Sequence, residues 1–339
     1  MDARALAALA ANPGCHRRAL LDAAGVDKRT VAERLGAPAP FGRSQFAFAR
    51  GHSFESGVTA EGGAALIRLL CRQTGEEQPE PESVRVPELN AAGPAARAGR
   101  TALELRAAAA RGGWSLLDHP MLSLPVAGAA VHLEPDALAV HPDGSVTVVE
   151  IKSFPILDGS ADAAKVGAAA RQAAVYALAL EDLAEVRERA LLVCPEDFSN
   201  SPTAAPLDLR KQCAATRRQL ARLTRIEEIA ELVPAGAGFA PSSSEGELAE
   251  AVASVPAAYA PECLSTCELA FHCRSKARAA GAVEALGRSV RGELGGLRTV
   301  EEVLEAARSE QEPADDPAAA ALRRAARLRD AALAEAACR

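Results

Sequence analysis

The chain has 339 residues, 49 % of them hydrophobic and 24 % charged, with a formal net charge of −7. That length and apolar content suit one large core or two ordinary ones. The acidic sum argues against a generally basic nucleic-acid-coating surface, and no apolar run of about 18 residues or more is present to form a membrane span.

Aromatic residues make up only 3 %, so helices must pack closely through alanine and other small side chains. The N-terminus, MDARALAALAANPGC, carries an early acid and lacks the long apolar region of a signal peptide. A cytoplasmic location is expected. In that reducing setting the eight cysteines point to metal binding wherever they cluster, rather than to disulfides.

Residues 1–35 read as short helices, with Asp27 as a cap signal, followed by the Pro/Gly-rich connector GAPAPFGRS. A long helix is expected over Ser53–Gln73, capped by Ser53. An acidic loop at 75–83, a short strand at Val84–Val86 and a helix over Arg100–Arg111, stopped by Gly112-Gly113, come next. Trp114–Val131 should hold strands. The stretch PDALAVHPDGSVTVVEIKSF then reads as a hairpin. Ala137–His141 and the β-branched Val146–Ile151 are its strands, and Pro142-Asp143-Gly144-Ser145 is its turn.

Past the loop SFPILDGSAD a helix is expected over Ala161–Leu183, then a buried strand over Arg187–Val193 stopped by Cys194-Pro195. A second long helix should span Asp208–Leu232. On it Lys211, Arg218, Arg222 and Arg225 would share a face, either as a solvated surface or as a stripe that tracks phosphates. PAGAGFAPSSSEGE reads as a flexible link, and the chain beyond Gly287 as helical with a break at EPADDP. The order of elements predicts an α/β fold with a small mixed sheet flanked by helices.

Chemistry concentrates in the hairpin. Alternation places Glu150 and Lys152 on one side of their strand, and Asp136 opens the preceding one. A charged pair interrupting a valine-rich strand needs compensation or a ligand. Two carboxylates and a lysine at a sheet edge suit a hard divalent cation and a water beside a phosphate. On the next helix Gln172 and Tyr176 stand at i, i+4. A second signal is Cys263-x3-Cys267-x5-Cys273, three thiols within eleven residues. Cys15, next to His16, Arg17 and Arg18, is the choice for a fourth. Zinc held by Cys263, Cys267, His272 and Cys273 is the competing assignment. Cys71 and Cys194 read as core residues, and Cys213 and Cys338 have no assigned partner.

Asp136, the Glu150-x-Lys152 triplet and Gln172-x-x-x-Tyr176 together resemble the PD-(D/E)XK nucleases of the RecB-like branch. Arg50-Gly51-His52-Ser53-Phe54-Glu55 is similar to the helix-start motif of that group, with Glu55 as the better match to its extra metal ligand and His52 in reserve. One cysteine before the core and three after it resemble the iron–sulfur subset, which includes CRISPR-adaptation exonucleases and AddB-type subunits. Those families show two residues between the first paired cysteines where this chain has three, which leaves the cluster type open.

The resemblance covers about residues 12–280 and implies a restriction-endonuclease-like core closed by an iron–sulfur staple. It groups residues 1–286 as the nuclease domain and 287–339 as a helical C-terminal tail. It implies Mg²⁺ or Mn²⁺ on Glu55, Asp136, Glu150 and the Ile151 carbonyl, with Lys152 positioning water and stabilising the phosphate. Gln172 and Tyr176 would orient DNA or the lysine, and a structural [4Fe–4S] cluster would sit on Cys15, Cys263, Cys267 and Cys273. The activity implied is a deoxyribonuclease, an exonuclease on single-stranded DNA, with partners in repair, recombination or CRISPR adaptation. A non-cutting nucleic-acid-binding module and a zinc-stabilised interaction protein are the alternatives. No GxxxxGK[ST] loop is present, so a fused helicase is not expected.

Overall fold

A computed structural model describes residues 2–38, 45–197, 199–234, 238–239, 242–309 and 316–337. Most of the expected connector (39–44), parts of the expected link (235–237, 240–241), most of the break near 312 and Cys338 lie outside the described residues.

The chain begins with α1 (Ala3–Ala11), α2 (His16–Ala23), α3 (Lys28–Arg34), α4 (Gln45–Thr74) and α5 (Pro94–Arg111). Five strands follow: β1 (Ser115–Asp118), β2 (Leu122–Val126), β3 (Ala129–Leu133), β4 (Ala137–Val140) and β5 (Val146–Ile151). Then come α6 (Ala163–Leu180), β6 (Arg189–Pro195), β7 (Pro202–Asp208), α7 (Arg210–Leu220) and α8 (Ile226–Ala230). The remainder is helical: α9 (Glu245–Ser254), α10 (Cys263–Thr266), α11 (Ala270–Ala279), α12 (Arg288–Glu293), α13 (Val300–Arg308) and α14 (Pro317–Ala337).

Two compact units form. The first comprises Met1–Pro13, Asp22–Gly25 and Phe41–Ala230; the second comprises Gly14–Leu21, Val26–Pro40 and Glu231–Arg339. The expected boundary at Gly287 falls inside the second unit.

The first unit is mixed α/β. Its main sheet runs β1-β4-β5-β6-β7, and β2-β3 form a separate hairpin. Only β5–β6 is parallel, so the main sheet is mixed. All six residues of β5 are buried, because helices cover both faces. On one face Val146, Val148, Leu138 and Val140 pack with α1, α5 and the Ala-rich α6. On the other, Val149, Ile151, Ala137 and Ala139 pack against Phe54, Val58, Leu66, Ile67 and Leu70 of α4. Doubly covered strands read as continuous apolar runs rather than as alternation, which explains the run Val146-Thr147-Val148-Val149.

Helix ends follow their local chemistry. Pro94 opens α5 and Gly112 closes it in the left-handed conformation. Asp162 caps α6 by accepting from the Lys165 amide at 2.9 Å. Opposite the site, the hairpin turn is fixed by the buried His141, which meets Glu76 and Thr147 at 2.8 Å each.

Several elements differ from expectation. Ser53 lies inside α4, which starts earlier, rather than capping it. Helical torsions break at Ala60–Gly63. There a Cβ on Gly63 would fall 2.0 Å from Leu116 Cδ2, at φ +70°, so only glycine lets α4 approach β1. Val84–Val86 is not a strand; Arg85 makes one isolated bridge to Ser115. Cys194-Pro195 does not stop β6 but belongs to it. Pro202–Asp208 is a seventh strand, an edge strand whose two prolines disguise it in the sequence. The long helix expected from Asp208 ends at Leu220, so Arg222 and Arg225 do not continue the face of Lys211 and Arg218.

The second unit packs Leu21, Val31 and Ala32 with Leu248, Val252 and Leu269, and Cys267 and Cys273 border that core. Reciprocal Ser/Glu and Thr/Glu caps start α9 and α13.

Candidate active site

The hairpin register builds the site. Ala137 pairs with Val149, so Asp136, one residue earlier, comes opposite Glu150. Alternation puts Glu150 on the same face as Val146 and Val148, toward α6. The Ile151 amide donates to Asp136 Oδ2 at 2.6 Å, which orients the carboxylate from the main chain. Lys152 Nζ lies 3.3 Å from Asp136 Oδ2 and 2.5 Å from Glu150 Oε2. The three charged side chains therefore converge, as the sequence pattern predicts.

Their environments differ. Glu150 is fully buried, whereas Lys152 keeps 23 % of its side chain exposed. The Glu150–Lys152 contact is a close ion pair. Neither Glu150 oxygen has a directed hydrogen-bond partner among the described residues. A buried carboxylate in that state is expensive unless something further compensates it. Burial pushes the Glu150 carboxyl up to about 7 in spite of the ammonium. Lys152 is held charged above its ordinary value because Glu150 and Asp136 outweigh its own desolvation.

Glu55, on α4, sits at the rim of this group. His119 Nε2 lies 3.1 Å from Glu55 Oε1. That hydrogen bond lowers the Glu55 carboxyl, with the Lys152 and His52 charges adding to it. His119 Nδ1 lies 2.9 Å from Asp118 Oδ1. Its two carboxylate contacts, Asp118 first, push the imidazole up to about 10. His52 is exposed. The Arg50 guanidinium donates to the Ser153 carbonyl at 2.9 Å, and Gly51 faces the Ser153 side chain. The helix-start motif thus lies over the end of β5.

Gln172 and Tyr176 form a hydrogen-bonded chain to the main chain. Gln172 Nε2 donates to Tyr176 Oη at 3.1 Å, and Tyr176 Oη donates to the Glu134 carbonyl at 2.9 Å. The pair anchors the main chain two residues before Asp136 and hydrogen-bonds to neither Lys152 nor Asp136. Burial raises the Tyr176 phenol, so it remains a neutral donor. Ile151 meets the site through its amide, and its side chain packs in the α4-side core.

Cys15, Cys263, Cys267 and Cys273 all fall in the second unit. Cys15 and Cys263 both act electrostatically on Cys273, and Cys15 also acts on Cys267. Two arginines, Arg17 and Arg18, are buried there. Arg17 Nη1 stands 3.4 Å from Cys273 Sγ, and Arg18 Nη1 donates to the Thr266 carbonyl at 2.6 Å. Burial pushes the Cys267 thiol up to about 12. Among the described residues no three His, Cys, Asp or Glu side chains stand at metal-ligating spacing. The four cysteines are therefore assembled in one unit but not closed around a point. Cys71 and Cys194 are buried core thiols, in line with their apolar surroundings in the sequence.

Sequence reasoning missed Asp118 and His119. The available signal was Asp-His-Pro at the end of an expected strand segment, where a polar pair before proline marks a chain turn. No protein-family model matches the chain, and no curated protein matches it. No helix among the described residues is long and apolar enough to cross a membrane.

Proposed function

We propose that the first unit is a metal-dependent deoxyribonuclease with a restriction-endonuclease-like core of the PD-(D/E)XK type, acting as an exonuclease on single-stranded DNA. The observation that carries this reading is Glu150. Its fully buried carboxylate lacks a directed donor, touches Lys152 and faces Asp136 through the same ammonium. A site made only for stability would satisfy those oxygens or replace them with apolar atoms.

Asp136 and Glu150, with Glu55 drawn in from the rim, would supply the hard oxygen donors that Mg²⁺ or Mn²⁺ prefers; like the cysteines, the three do not stand at metal-ligating spacing among the described residues. Bound there, the ion would act as a Lewis acid on the phosphate and acidify a water. Lys152 keeps its proton, neutralises the two carboxylates and offers positive charge to a phosphate oxygen as pentacovalent charge develops. Asp136 is kept in place by the Ile151 amide and, through Glu134, by the Tyr176–Gln172 pair. In the overall reaction water adds to phosphorus, one P–O ester bond breaks, and the departing alkoxide takes up a proton.

For the second unit the reading is a structural [4Fe–4S] cluster on Cys15, Cys263, Cys267 and Cys273. The Arg17 guanidinium beside Cys273 and the Arg18 charge acting on Cys267 suit a group of net negative charge.

The test is cleavage of single-stranded and duplex DNA with Mn²⁺, with and without EDTA, for the wild-type chain and Lys152→Ala. Cleavage that needs Mn²⁺ and disappears in Lys152→Ala is the expected result. Equal cleavage by the variant overturns the catalytic assignment. Metal-independent binding without cleavage supports the non-cutting alternative.

A further inference from the structure

We infer that His119 is a positioning residue for the metal site: it holds Glu55 in the orientation in which that carboxylate can serve as a ligand. The inference rests on the nuclease reading above, and His119 itself lies outside the motifs that suggested that reading.

His119 connects three parts of the site. Its ring lies between two carboxylates, with Nε2 3.1 Å from Glu55 Oε1 and Nδ1 2.9 Å from Asp118 Oδ1. A ring nitrogen facing a carboxylate must donate, so the contact occupies one Glu55 oxygen and leaves the other for a cation. The His119 amide donates to the Asp136 carbonyl at 3.2 Å. One residue therefore ties Glu55, on α4, to the main chain of Asp136, at the start of β4. Its own carbonyl accepts from Arg97 Nη2 at 2.9 Å, and Arg97 also pairs with Glu134 at 2.5 Å.

The backbone supports a functional reading. His119 has φ +44°, an uncommon conformation for a residue with a Cβ and one that concentrates at functional sites. The side chain is also 45 % exposed, so burial does not account for the imidazole at this point. Carboxylates that ligate metals are themselves hydrogen-bonded by outer partners, and loss of such a partner weakens metal binding by about 10- to 100-fold.

The test is a titration of the full chain with Mn²⁺ alone, followed by the resonance of free Mn²⁺, on wild type, His119→Ala and His119→Gln. Cleavage is measured in parallel as a function of Mn²⁺. His119→Ala should weaken Mn²⁺ binding about 10- to 100-fold, and the cleavage lost at low Mn²⁺ should return as Mn²⁺ is raised. His119→Gln retains a donor that can reach Glu55 and should recover most of the affinity. Wild-type affinity in His119→Ala, or a loss that His119→Gln leaves unrepaired, overturns the inference while leaving the nuclease reading intact. A wild-type chain that binds no Mn²⁺ overturns both.

Discussion

Replacing Glu150 by glutamine tests the central feature of the site through folding stability, without assuming any substrate. In the folded chain the Glu150 carboxyl is pushed from 4.5 to about 7 by burial. Folding therefore favours the protonated acid. The associated stability is fully present below about pH 4.5 and is lost as pH rises through about 7. Each factor of ten in an ionisation constant is worth about 1.4 kcal/mol, which makes the loss about 3 kcal/mol. Glutamine keeps the shape and does not titrate. Relative to wild type, Glu150→Gln should gain about 3 kcal/mol between pH 4.5 and pH 8. The assay is urea unfolding in EDTA at several pH values, followed by fluorescence of the single tryptophan, Trp114, which is buried in the first unit. Mg²⁺ should stabilise wild type at pH 8 and have little effect on the variant. Parallel pH profiles for the two proteins would refute the claim that burial outweighs the Lys152 ammonium at Glu150.

Three further outcomes are expected. Gly63→Ala drives a methyl group into Leu116 at a left-handed backbone position and should cost about 2 kcal/mol or more in urea unfolding. Tyr176→Phe removes the hydroxyl that donates to the Glu134 carbonyl; about 1–2 kcal/mol of stability should be lost, with a fall in cleavage rate measured at saturating Mn²⁺. Chain purified without oxygen should be brown and contain iron, and Cys267→Ala should bleach its visible absorbance; a colourless wild type holding zinc would favour the zinc assignment.

Much of the candidate site could be read directly because the alternation of side chains along a strand is a local property of the backbone. The hairpin from Ala137 to Ile151, its Pro-Asp-Gly-Ser turn and the approach of Asp136 to Glu150 and Lys152 follow from alternation and turn chemistry alone. What escaped depends on tertiary contact. β7 hides behind Pro202 and Pro206, which only an edge strand tolerates. The break at Ala60–Gly63 is dictated by the approach of α4 to Leu116, a residue more than fifty positions away. Gln172 and Tyr176 could be assigned to one helix face, but their partner, the Glu134 carbonyl, is main chain and leaves no mark in a side-chain pattern. His119 was passed over for a similar reason, since its partner Glu55 lies on a different element.

The pairing of β4 with β5 gives the remote tip at Pro142–Ser145 an influence out of proportion to its distance from Asp136, Glu150 and Lys152. Because the pleat repeats every two residues, adding or deleting one amino acid at that bend would turn Glu150 and Lys152 toward α4 and bring Val149 and Ile151 to face α6. Length changes at this tip should accordingly be far less forgiving than those at most surface loops, even though it lies at the far end of the hairpin from the three charged groups.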